Sequence, residues 1–283
     1  MHESDGAAGP PLVLQTVYDA AFTTYPVPMK IATWNVNSLK VRLQHLLPGL
    51  EANPVDVLCI QETKLTDDKF PLAEINAAGY QVVFAGQKTY NGVAILSKHP
   101  IEDVLIGNPH FEDEQQRLIA ATIAGMRIIC AYVVNGQEIG SDKFAYKMAW
   151  LEGLHTWVAE EMRRHPALAV LGDYNIAPEA RDVHEPSEWE NHIHFTAPER
   201  AALAALMELG LQDAFRLFEQ PDKQYSWWDY RNLAFRRNRG LRIDHILLTE
   251  ALAKRCTACH IDRDTRKWEQ PSDHAPVVAT LAD

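Results

Sequence analysis

The stretch RLIAATIAGMRIICAYVV, residues 117–134, decides the fold class of this chain. Its two apolar runs, 117–124 and 126–134, are joined only by a tight turn, so they predict consecutive strands that cannot be parallel neighbours. Neither run alternates between apolar and polar residues, a pattern typical of strands that are covered on both faces. The sequence therefore predicts mixed β-sheets that are buried between other layers.

Further strands and helices are predicted on both sides of this stretch. The turn TYNG (89–92) joins a second pair of strands, and residues 142–164 and 198–209 carry apolar side chains at helical spacing. Ser141 is the predicted N-cap of the first helix. Apolar strand-like runs complete the pattern, at 30–36, 55–62, 80–86, 92–97, 168–175, 242–249 and 275–281. Together these elements predict a layered α/β sandwich.

The chain is predicted to consist of one domain, residues 29–283, preceded by an appendage. Residues 1–28 mix glycine, proline and small residues without periodicity, so we interpret them as an N-terminal appendage of unknown order. No apolar stretch approaches the roughly 20 residues of a membrane span, and the N-terminus lacks the basic region of a signal peptide. These features predict a cytoplasmic protein with no membrane partner.

The charge distribution is uneven along the chain. A net charge of −11 argues against a general nucleic-acid coat protein, which would usually be basic. Residues 231–242, RNLAFRRNRGLR, nevertheless hold five arginines and no acidic residue. This stretch is either a solvated loop or a local phosphate-binding edge, and the second alternative fits better because screening hides the distant acidic surface.

Polar residues gather at the ends of the predicted strands, where the apolar runs stop. They are Asn35, Asn37, Glu62, Asp173, Asn175, Asp244, Asp273 and His274. Carboxylate and amide oxygens with a single histidine suit a hard cation, Mg²⁺ or Mn²⁺, and such a cation usually serves phosphate chemistry. The chain has no GxxxxGK[ST] phosphate-binding loop. The sequence therefore indicates hydrolysis of a phosphate ester without a nucleotide cofactor.

Six segments resemble, in order, the motifs of exonuclease III-type DNA-repair nucleases of the endonuclease/exonuclease/phosphatase superfamily. They are WNVNSL (34–39), IQETK (60–64), GDYN (172–175), SWWDYR (226–231), NRGLRIDH (238–245) and PSDHAPV (271–277). The resemblance implies a four-layer sandwich, in which two mixed β-sheets pack together between flanking helices. It also implies a monomeric, Mg²⁺-dependent enzyme that acts on double-stranded DNA and is associated with the nucleoid through that DNA.

The resemblance further implies a role for each strand-end residue. Glu62 would be the principal metal ligand, assisted by Asn35 and Asp273. Asp173 would activate or orient the attacking water, and Asn175 would steady the phosphate or the nucleophile.

A second group of residues would serve the phosphate and the leaving oxygen. Adjacent side chains of an extended segment point to opposite faces, so Asp273 and His274 each need a partner from elsewhere in the fold. His274 would donate to a phosphate oxygen, and Asp244 would orient its ring and favour its protonated form. Tyr132 would lie near the leaving oxygen, with Arg117 as a buttress of the site.

The resemblance also assigns contacts to DNA. Trp227 would pack against the sugar at the scissile position, whereas Trp228 is predicted to lie in the core and His245 to make structural hydrogen bonds. The predicted contacts to the DNA backbone are Lys143, Lys147, Arg236, Arg237 and Arg239.

His194, in the segment HIHFTAPER, stands where the resembling abasic (AP) endonucleases usually have a small residue. We hypothesise that its ring fills the space that a flipped-out baseless sugar needs, which favours 3′→5′ exonuclease activity and 3′-end cleaning. Two alternatives stay open: His194 points to solvent from a loop, or the enzyme is mainly an AP endonuclease in base excision repair. Remoter alternatives are another phosphodiesterase of the superfamily and an inactive DNA-binding module.

Overall fold

Two six-stranded β-sheets form the centre of the structure, a computed structural model that describes residues 28–283. The strands are β1 (Met29–Asn35), β2 (Val57–Gln61), β3 (Gln81–Ala85), β4 (Val93–Ser97), β5 (Ile101–Ile106), β6 (Leu118–Ile123), β7 (Met126–Tyr132), β8 (Leu168–Asp173), β9 (Leu211–Asp213), β10 (Asp244–Thr249), β11 (Cys256–Ile261) and β12 (Val277–Leu281). The predicted appendage, apart from its last residue, lies outside the described residues.

Each sheet mixes parallel and antiparallel neighbours. The first has the strand order β11-β12-β1-β2-β4-β3 and the second the order β5-β6-β7-β8-β10-β9. In each sheet one pair is parallel, β1 with β2 and β7 with β8, and the other pairs are antiparallel. The tight turns before β4 and β7 join antiparallel neighbours, so the predicted mixed sheets are confirmed.

Helices cover the outer face of each sheet. The helices are α1 (Leu39–Ala52), α2 (Leu72–Ala77), α3 (Asp142–Arg164), α4 (Pro186–Trp189), α5 (Ala197–Glu208) and α6 (Glu250–Ala253). Of these, α1 and α2 cover the first sheet and α3 and α5 cover the second. The predicted helix 142–164 is present, and its cap is also present because the Ser141 hydroxyl accepts a hydrogen bond from the Phe144 N–H at 3.1 Å. No helix among the described residues is both long and apolar enough to cross a membrane.

Three apolar layers confirm the four-layer sandwich. The central layer joins the inner faces of both sheets, with Ile31 and Ile95 from the first and Ile128 and Leu171 from the second. A second layer lies between the second sheet and α3 with α5. A third lies between the first sheet and α1 with α2. Both sheets are therefore covered on both faces, which explains why their strands are almost continuously apolar.

Strand register brings the polar strand ends into one place. Asp173, the last residue of β8, lies opposite Tyr132 of β7 on one side and Asp244 of β10 on the other. In the first sheet, Asn35 pairs with Gln61, so Glu62 follows directly beside it. The ends of five strands from both sheets thus meet at one edge of the sandwich.

The sequence pattern missed three of the described strands and the helices α1, α2, α4 and α6, of which the last three have only four to six residues. The strands β5 and β11 are edge strands with exposed polar residues, and β9 has only three residues, so none of them shows a continuous apolar run. Helix α1 contains Pro48 in its interior, which weakens its helical signal.

Strands β7 and β8 approach each other so closely at Gly172 that a side chain has no room there. A Cβ atom at this position would overlap the carbonyl oxygen of Ala131, its partner in register. Gly172→Ala should therefore lower the free energy of unfolding by about 2 kcal/mol or more, measured by urea denaturation. As control, Gly49→Ala in α1 places a Cβ 3.4 Å from the Trp268 ring and should leave stability unchanged or raise it by up to about 1 kcal/mol. Equal midpoints for the two variants would contradict this packing argument.

Candidate active site

Two carboxylates and a histidine come together where the strand ends meet, with Asp173 and His274 buried and Glu62 half-buried. One carboxylate oxygen of Glu62, one of Asp173 and a ring nitrogen of His274 all lie within 4.8 Å of one another. Glu62 follows β2, Asp173 ends β8 and His274 precedes β12, so the group draws on both sheets. Oxygen-rich groups of this kind suit a hard divalent cation such as Mg²⁺ or Mn²⁺.

His274 is held as a cation by two carboxylates. Its Nδ1 donates to Asp244 Oδ2 at 2.8 Å, and its Nε2 lies 3.7 Å from Asp173 Oδ2. Burial disfavours the charged ring, but Asp244 and Asp173 outweigh burial and raise the pKa of His274 to about 10. The Ser226 hydroxyl donates to the same Asp244 oxygen at 2.7 Å. Both ring nitrogens of His274 are therefore N–H donors at neutral pH.

Asp173 lies at the centre of the group. Burial raises its pKa to about 7, with Asp244 adding to this effect and His274 and Asn35 opposing it. The backbone N–H of Asn175 donates to Asp173 Oδ1 at 2.9 Å, and Asn175 has a left-handed backbone with φ of 52° that asparagine tolerates. A divalent cation beside Asp173 would favour its ionised form.

The Glu62 carboxylate interacts with three donors, Tyr132, Lys64 and Asn35. Tyr132 donates its hydroxyl to Oε1 at 2.9 Å, and Lys64 Nζ lies 2.8 Å from Oε2. Burial raises the pKa of Tyr132 well above its ordinary value, so Tyr132 stays a neutral donor. The Arg117 guanidinium covers the Tyr132 ring at 4.8 Å from the centroid. Lys64 was missed by the sequence reasoning, although it stands two residues after Glu62 in IQETK.

Asn35 bridges the two carboxylates through its amide nitrogen. Its Nδ2 donates to Glu62 Oε1 at 2.8 Å and to Asp173 Oδ2 at 2.9 Å, while its Oδ1 accepts the Asn37 backbone N–H at 2.9 Å. A backbone N–H can only donate, which fixes the orientation of this amide. Asn35 was predicted as a metal ligand, but here it presents donors to the site and orients both carboxylates.

Asp273 lies outside the group of three. Its Oδ1 accepts from Asn37 Nδ2 at 2.8 Å and its Oδ2 from Trp227 Nε1 at 2.9 Å. Burial favours the neutral acid, but the His274 cation and these two donors hold the pKa of Asp273 below its ordinary value. Asp273 and His274 do turn to different partners. Asp273 was predicted as a metal ligand, but it lies outside the Glu62–Asp173–His274 group and orients Trp227 through the hydrogen bond that its Oδ2 accepts.

His194 is buried against the site and does not point to solvent. Its Nδ1 donates to the Asn175 carbonyl at 2.8 Å, and its ring lies 6.3 Å from that of Trp227. Burial and the nearby Lys147 cation lower the pKa of His194 to about 4, so its ring is neutral. Its φ of 78° is left-handed, a conformation that favours glycine. The predicted alternative of a solvent-facing loop histidine is wrong.

Trp228 and His245 make internal contacts. Trp228 is fully buried, with its indole N–H donating to Asn238 Oδ1 at 3.2 Å. His245 Nε2 donates to the Ile176 carbonyl at 2.8 Å, and its Nδ1 accepts from Arg242 Nη1 at 3.0 Å. Both side chains are buried and neither is exposed for contact with DNA.

Lys147 does not reach the surface, which corrects its predicted contact with DNA. It is fully buried and pairs with Glu199 at 2.5 Å. It also donates to the carbonyl oxygens of Asn175 at 2.8 Å and Asn135 at 3.2 Å. Lys147 therefore ties α3 and the cap of α5 to the Asn175 loop. Lys143, four residues earlier on α3, is exposed.

The arginine-rich stretch divides into internal and external residues. Arg242 is buried and pairs with Asp182 and Asp213, both at 2.7 Å, so it cannot contact DNA. Arg239 is exposed and pairs with Glu188 at 2.7 Å, so its contact with the DNA backbone stays a prediction. Arg236 and Arg237 are exposed.

The sequence and the fold are similar to those of known proteins. The profile of the Endonuclease/Exonuclease/phosphatase family matches residues 32–274. Exodeoxyribonuclease III of Haemophilus influenzae is 35% identical over 264 residues, which cover 89% of this chain and 99% of that protein. The structure of the 3′-5′ exonuclease NExo from Neisseria meningitidis is 47% identical, with a TM-score of 0.88 over 89% of this chain and 99% of NExo.

Two further structures are similar. A NExo variant, described as a 3′ phosphatase bound to product DNA hairpin, gives the same identity, coverage and TM-score as NExo. An AP endonuclease from Archaeoglobus fulgidus is 43% identical, with a TM-score of 0.86 over 89% of this chain and 99% of that chain.

The buried Lys147–Glu199 pair can be tested against an exposed lysine of the same helix. Lys147→Met leaves the Glu199 charge buried without its partner and should lower the free energy of unfolding by about 3–5 kcal/mol, measured by urea denaturation. Lys143→Met should change it by less than about 0.5 kcal/mol. If Lys147→Met kept the stability of the wild type but bound DNA more weakly, the result would contradict the structural role of Lys147 and support the predicted contact with DNA.

Proposed function

Because the chain belongs to the endonuclease/exonuclease/phosphatase family, we propose that it hydrolyses DNA phosphodiester bonds during DNA repair. It acts as a 3′→5′ exodeoxyribonuclease of the exonuclease III type, which also cleans blocked 3′ ends. The Glu62–Asp173–His274 group, with Asp244 behind the histidine, is the single observation that carries this proposal. The similarity to exodeoxyribonuclease III and to NExo supports it.

Glu62 and Asp173 are the residues that would hold a divalent cation, for which we propose Mg²⁺ with Mn²⁺ as the alternative. When bound, the cation neutralises charge on the phosphoryl oxygens. Asn35 keeps the two carboxylates together, since its amide nitrogen donates to both. Lys64 limits the negative charge of the site by pairing with Glu62.

The chain's own residues orient the attacking water and the phosphate. Asp173, whose ionised form a bound cation would favour, accepts a hydrogen bond from the attacking water and orients it. His274 donates its Nε2–H to a phosphate oxygen and remains protonated, because Asp244 fixes its charge. We assign the Tyr132 hydroxyl, which stays neutral and lies beside Glu62, to the leaving oxygen.

Double-stranded DNA would approach across the exposed cations of this edge. Lys143, Arg236 and Arg237 are exposed and can contact phosphates without reading bases. Trp227 packs against the sugar at the scissile position, held by its hydrogen bond to Asp273. The monomeric state and the cytoplasmic, nucleoid-associated location stay predictions.

His194 favours the exonuclease over the AP endonuclease, because its buried ring stands between Asn175 and Trp227 and cannot move without breaking its hydrogen bond. The AP endonuclease remains the second candidate, supported by the similarity to the enzyme from Archaeoglobus fulgidus. Initial rates on a recessed 3′ end and on an internal abasic duplex, measured side by side, separate the two. Turnover on either substrate rules out an inactive DNA-binding module.

Asp173→Asn keeps the shape of the side chain but removes its charge, so it should slow hydrolysis on the order of 10³-fold or more. Excess EDTA should abolish turnover by the wild type. Asp264→Asn, at an exposed carboxylate that pairs with Lys267, is the matched control and should keep full activity. Release of nucleotides from a labelled duplex measures all three. Near-normal turnover by Asp173→Asn, or full activity in EDTA, would sink this mechanism.

His194→Gly should raise abasic cleavage relative to exonuclease activity by about tenfold, roughly 1.4 kcal/mol of relieved crowding. Glycine and asparagine both tolerate the φ of 78° at this position, so His194→Asn should give an intermediate ratio. The measurement is the ratio of the two initial rates for each variant. If neither substitution changes that ratio, the bulk of His194 does not select the substrate.

A further inference from the structure

A cavity of about 430 Å³ adjoins the proposed active site and shares Trp227 with it. Four of its lining residues carry rings: Trp189, Trp227, His184 and His192. Trp227 connects the cavity to the site, because its indole donates to Asp273 and its backbone forms a β-bridge with His274. The volume lies within the range of about 300–1,000 Å³ that is typical of small-ligand pockets.

The imidazole ring of His184, which lines the cavity, is neutral and is held in one orientation by hydrogen bonds. Burial, together with the Arg239 cation, lowers the pKa of His184. Its Nδ1–H donates to the Gly240 carbonyl at 3.2 Å, and its Nε2 accepts from Arg239 Nε at 3.2 Å. Arg239 is held in turn by Glu188 at 2.7 Å. The edge of the Trp189 ring system packs against His184, with centroids 5.9 Å apart and planes at 79°.

The charges that line the cavity cancel. Arg239 pairs with Glu188, and Arg231 pairs with Asp229 at 2.5 Å. Since both arginines are already paired, the cavity offers no excess positive charge for a phosphate. Aromatic walls with balanced donors and acceptors suit a flat, uncharged, heteroaromatic ring, because such rings stack on tryptophan and histidine.

We propose that this cavity holds the nucleobase of the 3′-terminal nucleotide after it has left its base pair. This inference rests on the proposed function, in which Trp227 packs against the sugar at the scissile position. A base on that sugar can extend past Trp227 into the cavity. His194 lies beside both rings, 6.5 Å from Trp189 and 6.3 Å from Trp227, and so forms the boundary between the sugar site and the base cavity.

The cavity would favour binding of a 3′-terminal nucleotide over binding of an internal abasic site. A terminal nucleotide that carries its base gains stacking with the cavity walls, worth about 1–3 kcal/mol per base. A baseless sugar leaves the cavity unfilled and gains nothing there. This preference adds to the crowding by His194, and it depends on a different residue, Trp189.

Binding of two small probes to the full chain in EDTA tests the cavity without any turnover. The probes are 2′-deoxyadenosine 5′-monophosphate and 2-deoxyribose 5-phosphate, which differ only by the base, and NMR titration measures both dissociation constants. The wild type should bind the nucleotide at least tenfold more tightly, equivalent to about 1.4 kcal/mol. Trp189→Ala should remove this difference, whereas Trp189→Tyr, which retains a stacking ring, should keep most of it.

The matched control is Trp268→Ala, at a half-buried tryptophan that lines a different cavity beside α1. It should leave the preference for the nucleotide intact. Equal affinities of the wild type for the two probes, or an unchanged preference in Trp189→Ala, would overturn the assignment of the cavity. A wild type that prefers the nucleotide but releases nothing from duplex DNA would instead refute the proposed nuclease and leave the cavity assigned.

Discussion

The burial of carboxylates at the paired strand ends is the constraint on which the rest of the site depends. Ionised carboxylates that leave water cost several kcal/mol each unless partners compensate them. Here Asp173 and Asp244 share the His274 cation, and Glu62 has Lys64, Tyr132 and Asn35. Apart from Lys64, which follows Glu62 on the same loop, these donors come from distant segments: the ends of β1 and β7 and the loop before β12. The ion pairs and hydrogen bonds therefore hold these segments together at the edge of the sandwich.

A second set of buried ion pairs supports these loops from behind. The Lys147–Glu199 pair joins α3 to α5 and fixes the Asn175 carbonyl, to which His194 also donates. On the other side of β10, Arg242 pairs with Asp182 and Asp213. Left-handed residues gather at the same edge, with φ of 54° at Glu62 and 52° at Asn175. Such conformations persist only where surrounding contacts over-determine them, and these ion pairs supply those contacts.

The arginines of residues 231–242 fall into two groups, those that form ion pairs within the protein and those that we propose contact DNA. The chain carries a net charge of −11, yet its exposed cations include Arg236 and Arg237 in a stretch without acidic residues. The other three arginines of that stretch are paired with Asp229, Glu188 and the Asp182–Asp213 pair. Of those three, Arg242 is buried, whereas Arg231 and Arg239 are exposed ion-paired residues that line the cavity beside Trp227. Arg236 and Arg237 are the exposed arginines that we propose contact DNA.

The sequence by itself determined the mixed sheets, the helix over 142–164 and the group of strand-end residues, because apolar periodicity and tight turns are local signals. It also predicted the pairing of His274 with Asp244, through the resemblance to a known family. It could not predict the edge strands β5 and β11, whose residues are half exposed and carry no clear pattern.

Only the tertiary structure decided what each polar side chain faces. The sequence does not show whether a lysine or an arginine is exposed or belongs to a buried ion pair. The burial of Lys147 and Arg242 became clear only from the structure, in which Glu199 and Asp182 lie beside them. The direction of the Asn35 amide depends in the same way on the backbone N–H of Asn37. A side chain's charge and length are written in the sequence, but its partner is set by how distant segments pack.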